Sequence, residues 1–160
     1  MFALMWLLLL GLLGYLFHDV LQRQNNPNVQ VQMTQSATGQ YAVHLQRNRA
    51  GHYVTRGQVN GFEVDFMLDT GATDVAIPLH IAQRIGLPAG RTVSIQTANG
   101  ITQGYQTSAI TVSIGPLQAQ NITATITPGL QTDEILLGMS FLKHISFTQQ
   151  GTELILRPMQ

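Results

Sequence analysis

From residue 51 to residue 160 the chain is predicted to be mostly β, on three observations. Apolar and polar residues alternate in runs of strand length. Two Asn-Gly pairs, Asn60-Gly61 and Asn99-Gly100, each separate two such runs, which is the strongest short-range signal for a hairpin. Helical character is confined to 78–86 and to a short stretch after Gly138, so one or two short helices accompany the strands.

The first element is apolar. "MFALMWLLLLGLLGYLF", 1–17, has no charged side chain and lies at the short end of the roughly 17–25 residues that span a bilayer. Trp6 and Tyr15 suit the two interfaces. No Lys or Arg precedes the run and no small-x-small site follows it. The expectation is therefore an uncleaved transmembrane anchor over 1–18, with a cleaved signal peptide as the alternative. The next segment, 19–50, is rich in Gln, Asn, Ser and Thr and is broken by Pro27. It buries too little to order itself and is expected to be a flexible polar tether. Within it, "YAVHLQR" at 41–47 alternates, and suits a first strand or an arm that pairs elsewhere.

The third region, 51–160, is a β domain of about 110 residues. "HYVTRGQVNGFEVDFMLD" gives two strands around Asn60-Gly61. "VAIPLHIAQRIGLP" turns helical between Pro78 and Gly86. "RTVSIQTANGITQGYQTSAITVSIG" gives a hairpin turning near Asn99-Gly100. "LQAQNITATITPG" gives a strand, and "EILLGMSFLKHI" a strand running into a short helix. "SFTQQGTELILRP" is a last hairpin turning on Gly151.

Composition excludes several functions. Lys and Arg number 8 and Asp and Glu 8, so the net charge is zero. A nucleic-acid partner, which normally meets a basic surface, is not expected. There is no cysteine, which removes disulfides, thiolate metal sites and Cys nucleophiles together. His18, His44, His52, His80 and His144 show no metal-binding spacing. No phosphate-binding glycine loop and no G-x-S-x-G occurs, so neither a metal nor a cofactor is expected.

The chemistry concentrates in "FMLDTGATDV", 66–75. Phe66, Met67 and Leu68 lead into Asp69, and Val75, Ala76 and Ile77 follow the loop. A carboxylate at the end of an apolar strand is costly unless it is paired or used. Gly71 allows a close turn, and Thr70 offers a hydroxyl that can lock it. An ordinary Asx turn is the plainer reading of these residues taken alone. A second group is Ile135-Leu136-Leu137-Gly138, an apolar strand ending in glycine before Met139-Ser140-Phe141-Leu142.

"LDTGAT", "TANGITQG" and "ILLGMSFL", in that order, resemble the retropepsin-like (retroviral-type) aspartic proteases, and among them the bacterial single-domain members with an N-terminal membrane segment. The resemblance covers about 51–160. It implies a closed β-barrel protomer, half of a pepsin-type bilobal fold, that pairs with a second copy. It implies that Asp69 is the catalytic carboxylate, that Thr70, Gly71 and Ala72 complete the active-site loop, and that 96–104 form a flap. Thr97, Ala98, Asn99, Gly100 and Ile101 would meet the substrate, and Leu136, Leu137 and Gly138 would support the loop from beneath. Thr73 and Asp74 are candidate subsite residues. The flap departs from the viral pattern in having only Gly100 and Gly104.

The residue count leads to the same assembly. Hydrolysis by this route needs two carboxylates, one to activate water and one to protonate the carbonyl oxygen. The chain has a single Asp-Thr-Gly, so two copies of Asp69 have to meet across a two-fold axis. Carboxylates about 3 Å apart cannot both ionise and share one proton. The expected function is an aspartic endopeptidase acting on extended peptides as a homodimer. The expected location is a bacterial inner membrane, with the catalytic domain periplasmic. The alternative is a non-catalytic membrane-anchored dimerisation or peptide-binding module of the same fold. Self-cleavage within 19–50 is a third expectation.

Overall fold

The computed structural model describes residues 2–36, 39–97 and 100–159, with the side chains of 2–3 and 18–23 outside the description. The apolar N-terminus forms α1 (Phe2–Asn25), whose described side chains from Leu4 to Phe17 are exposed. Among the described residues no helix is long and apolar enough to cross a membrane, so the expected spanning anchor is not supported. The uncharged run 1–17 sits at the lower limit of the roughly 17–25 residues that span a bilayer.

The segment expected to be a flexible tether contains two strands, β1 (Gln32–Gln35) and β2 (Tyr41–Gln46). The alternation of 41–47 explains the second: Ala42, Val43 and Leu45 are buried. The approach to β1 is pinned by asparagine. Asn28, 3% exposed, donates through Nδ2 to the carbonyls of Gln46 (2.9 Å) and Val54 (2.7 Å), and its Oδ1 accepts the Gln46 N–H (2.7 Å). Polar side chains thus order a stretch that apolar burial could not. Its strands are less open to self-cleavage than a free tether would be.

The remaining strands are β3 (Val54–Val59), β4 (Phe62–Leu68), β5 (Val75–Pro78), β6 (Thr92–Thr97), β7 (Gly100–Gln106), β8 (Ile110–Ile114), β9 (Leu117–Ile122), β10 (Ala124–Thr127), β11 (Glu134–Leu137), β12 (Ile145–Gln150) and β13 (Glu153–Pro158). Two short helices, α2 (Leu79–Arg84) and α3 (Met139–Leu142), interrupt them. The stretch 117–127, expected as one strand, divides at Thr123 into β9 and β10, and Asn121 inside β9 has a φ of 57°. Asn60 and Gly61 both have positive φ, as a tight hairpin between right-twisted strands requires.

The strands form a four-stranded sheet, β1-β2-β13-β12, and a nine-stranded sheet, β6-β7-β10-β5-β11-β4-β3-β8-β9. One core joins them, with Val43, Leu45, Leu154 and Leu156 of the first packed among Phe66, Ile77, Ile135, Leu137 and Phe141. Neither sheet closes on itself, which corrects the expected closed barrel. Closure of the larger sheet would need β6 against β9. Instead the β6–β7 hairpin stands outward, with Thr92, Ser94, Gln96 and Thr97 exposed and no continuous apolar row to bury.

Candidate active site

Asp69 follows directly on β4, and its loop returns to β5. These two strands are not neighbours, because β11 lies between them, parallel to β4 (Leu137 opposite Leu68) and antiparallel to β5 (Leu136 opposite Ala76). The Asp69 loop therefore bridges the end of β11, and main-chain bonds fasten it there. The Asp69 N–H donates to the Leu137 carbonyl (3.2 Å). The N–H groups of Met139 and Ser140, free at the start of α3, donate to the carbonyls of Ala72 and Thr73 (2.8 Å each). The Ser140 hydroxyl donates to the Thr123 carbonyl (2.8 Å) and accepts the Val75 N–H (3.1 Å), which ties both sides of the loop to β10's approach.

The loop orients its carboxylate. Asp69 Oδ1 accepts the Gly71 N–H at 2.8 Å, and the Ala72 N–H donates to the Asp69 carbonyl at 3.3 Å. This is the Asx-type turn that the sequence allowed, and it holds the carboxyl half-buried while Thr70, Gly71 and Thr73 stay exposed. Asp69 and Thr70 line a cavity of about 360 Å³ together with Tyr53, Leu142, Phe147 and Gln149. The backbone before the catalytic position is also braced, since the Leu68 N–H donates to the Tyr53 carbonyl at 3.0 Å.

The other residues singled out from sequence fall into two groups. Ala72, Leu137 and Gly138 meet at the loop, with Leu136 in the strand beneath; Asp74 is half-buried where its carbonyl approaches Gly138. Thr97, Gly100 and Ile101 lie at the far end of the β6–β7 hairpin, which reaches the site only through β10 and β5. Ile101 is 80% exposed. Ala98 and Asn99 lie outside the described residues. Sequence reasoning passed over Tyr53, which carries no motif, and Ser140, whose only signal is a polar residue inside "GMSFL".

Charge elsewhere is structural. Glu63 and Asp65 alternate on β4 and suggest an outward pair, but Asp65 accepts from Arg56 Nε (3.1 Å) and Nη2 (3.4 Å) and from Asn26 Nδ2 (3.1 Å). The hydrogen bond to Asp65 raises the Arg56 pKa, against a smaller opposing effect of burial. Among the described residues no three His, Cys, Asp or Glu side chains cluster to hold a metal.

Residues 55–144 match the family of gag-polyprotein putative aspartyl proteases. An uncharacterized protein from the cobV 5′ region of Sinorhizobium sp. is 40% identical over 118 residues, which is 72% of this chain and 51% of the relative. An uncharacterized protein of Rickettsia prowazekii (strain Madrid E) is 33% identical over 102 residues, 62% of this chain and 43% of the relative. The chain thus spans about half the length of these curated relatives. The crystal structure of a retropepsin-like aspartic protease from Rickettsia conorii superposes with a TM-score of 0.62 at 30% identity, covering 81% of this chain and 96% of that one.

Proposed function

Because the chain belongs to the retropepsin-like aspartic proteases, we propose that it is an aspartic endopeptidase whose active site is made by Asp69 from two copies. The observation that carries this reading is the Asp69 carboxyl, held by the Gly71 N–H on one oxygen and open to a cavity at the end of β4. A carboxyl so fixed and left accessible is suited to bind and activate water. The second carboxyl comes from the second copy, and the two share a proton, so that one acts as base while the other acts as acid. No metal or cofactor takes part.

The substrate is an extended peptide, lying as a strand between the Asp69 loop and the β6–β7 hairpin, with Thr97, Gly100 and Ile101 at its back and Thr73 and Asp74 at its side. The hairpin's exposed, uncharged face supports this, since main-chain pairing gives affinity without a particular sequence. The exposed apolar sides of α1 support attachment to a membrane, which raises the local concentration of copies. The proposed setting is the bacterial inner membrane with the catalytic domain periplasmic. Protease protection in intact and opened spheroplasts tests the side.

Mixing tests the two-copy mechanism. Wild type is refolded with inactive Asp69→Asn protein in equal amounts. If each active unit needs two Asp69 residues, activity falls to about a quarter of that of wild type at the same total protein concentration, rather than about half. A fall to about half contradicts the shared site, and no peptidase activity in the wild type favours the peptide-binding module.

A further inference from the structure

We propose that the corner at Asn25 to Asn28 is a rigid mount, which holds Asp69 at a fixed height above a lipid bilayer that α1 enters. The substrates are then extended peptide segments that emerge from that bilayer or lie along it. This rests on the peptidase reading above and names its substrate class.

The mount stands where the composition of 19–50 suggested a loose tether. α1 runs unbroken to Asn25, and bonds to the β domain begin at that residue. Asn48 Nδ2 donates to the Asn25 carbonyl (2.9 Å). Asn26, 7% exposed, donates through Nδ2 to Asp65 Oδ1 on β4 (3.1 Å), and its Oδ1 accepts the Asn28 N–H (2.9 Å). Asn28 pairs in parallel with Thr55 of β3, and its carbonyl accepts the Arg56 N–H (3.4 Å), beside the three side-chain bonds described above. Both ends of both buried amides are therefore paired, and each is costly to release. The exit of α1 is fastened to β3 and β4, the hairpin whose second strand delivers Asp69.

What surrounds α1 follows from its pattern. Residues 4–17 are all exposed and none is charged, so the helix is apolar on every side. A protein groove covers one stripe of a helix, whereas a lipid phase surrounds it. Insertion from one side suffices, without crossing. Asn25 lies eight positions beyond Phe17 along α1, about 12 Å. Asp69 lies four positions beyond Asp65 at the end of β4, about 13 Å. With the Asn26–Asp65 bond between them, Asp69 stands at most roughly 40 Å from the end of the apolar run. An extended chain climbs that height in about twelve residues. A bond farther out on a stiff stalk is out of reach, while a peptide near the surface meets an active site held at its own level.

Two readouts test the mount, one of them independent of activity. Full-length wild type is compared with a variant carrying about forty Gly and Ser residues inserted between Asn25 and Asn26, a flexible span of roughly 35 Å. Both are reconstituted in vesicles of phosphatidylethanolamine and phosphatidylglycerol. The chain has no cysteine, so Gln58→Cys, on the exposed side of β3, takes a single dye, and energy transfer to labelled lipid headgroups reports height. Wild type is predicted to float with the vesicles and to show transfer severalfold stronger than the insertion variant. For the second readout, a sequence that the enzyme cuts as a free peptide is placed on a membrane-anchored helical spacer of about 10 or about 60 residues, roughly 15 or 90 Å. Wild type is predicted to cut the near site about tenfold faster than the far one, and the insertion variant to lose most of that preference. Both proteins are predicted to cut the free peptide equally. Wild type that stays off the vesicles, equal transfer in the two proteins, or equal cleavage of near and far sites by wild type overturns the proposal and leaves the proposed function standing. Failure to cut any free peptide removes the peptidase reading, and the substrate class with it, while energy transfer still decides the mount.

Discussion

Gly138 lies so close to Asp74 that a Cβ on it would overlap the Asp74 carbonyl oxygen, and would stand 2.7 Å from that of Ala72. Its φ of −83° is open to any residue, so contact and not backbone conformation demands glycine here. The loop that carries Asp69 crosses the end of β11 at this point, and only a residue without a side chain lets the two backbones bond. Gly138→Ala is predicted to cost about 3 kcal/mol and to reduce peptidase activity by moving the loop. Urea unfolding and kcat/KM measure the two effects. An unchanged midpoint contradicts the packing account.

Ser140 bridges the Val75 N–H and the Thr123 carbonyl from a buried position. Ser140→Ala removes both bonds and leaves the Val75 N–H and the Thr123 carbonyl with only their long mutual bond of 3.3 Å. The expected loss is about 1–2 kcal/mol in denaturant unfolding. Ser140→Thr, which keeps the hydroxyl, is expected to recover part of it.

Asn28 holds the N-terminal segment through three side-chain bonds to Gln46 and Val54. Asn28→Ala is predicted to lower stability by about 2–3 kcal/mol and to expose 26–35 to limited proteolysis. If cleavage there is no faster than in wild type, the asparagine is not what orders the segment.

Arg56 pairs with Asp65, and its pKa is raised above the ordinary guanidinium value. A raised folded-state pKa contributes stability that is complete below the unfolded value and is lost only as the pH rises through the folded one. Arg56→Gln should therefore cost the same across about pH 6 to 9. The guanidinium is 41% exposed, which limits that cost to about 0.5–1 kcal/mol. Unfolding midpoints at both ends of the range test this, and a cost that vanishes at pH 9 contradicts it.

Local signals carried much of the fold. The Asn60-Gly61 hairpin, the helix after Pro78 and the closing turn at Gly151 were legible because each depends on residues adjacent in sequence. Three features were not. Insertion of β11 between β4 and β5 is a long-range choice that no periodicity records. Residues 26–35 lack apolar alternation and are ordered by asparagine side chains that reach distant carbonyls. The open sheets depend on what the β6–β7 hairpin does not bury. At the site, Asp69 and Gly138 were marked by motif, whereas Tyr53 carries no motif and comes to notice only through the cavity it lines and the Leu68 N–H its carbonyl accepts.

The most direct measurement incubates full-length wild type and Asp69→Asn protein, in detergent and at high concentration, with a diverse peptide library between about pH 4 and 7, and reads the products by mass spectrometry. The account predicts cleavage by wild type and none by Asp69→Asn, with both proteins folded and dimeric by sedimentation. Equal cleavage by the two proteins, or none by a dimeric wild type, would contradict it.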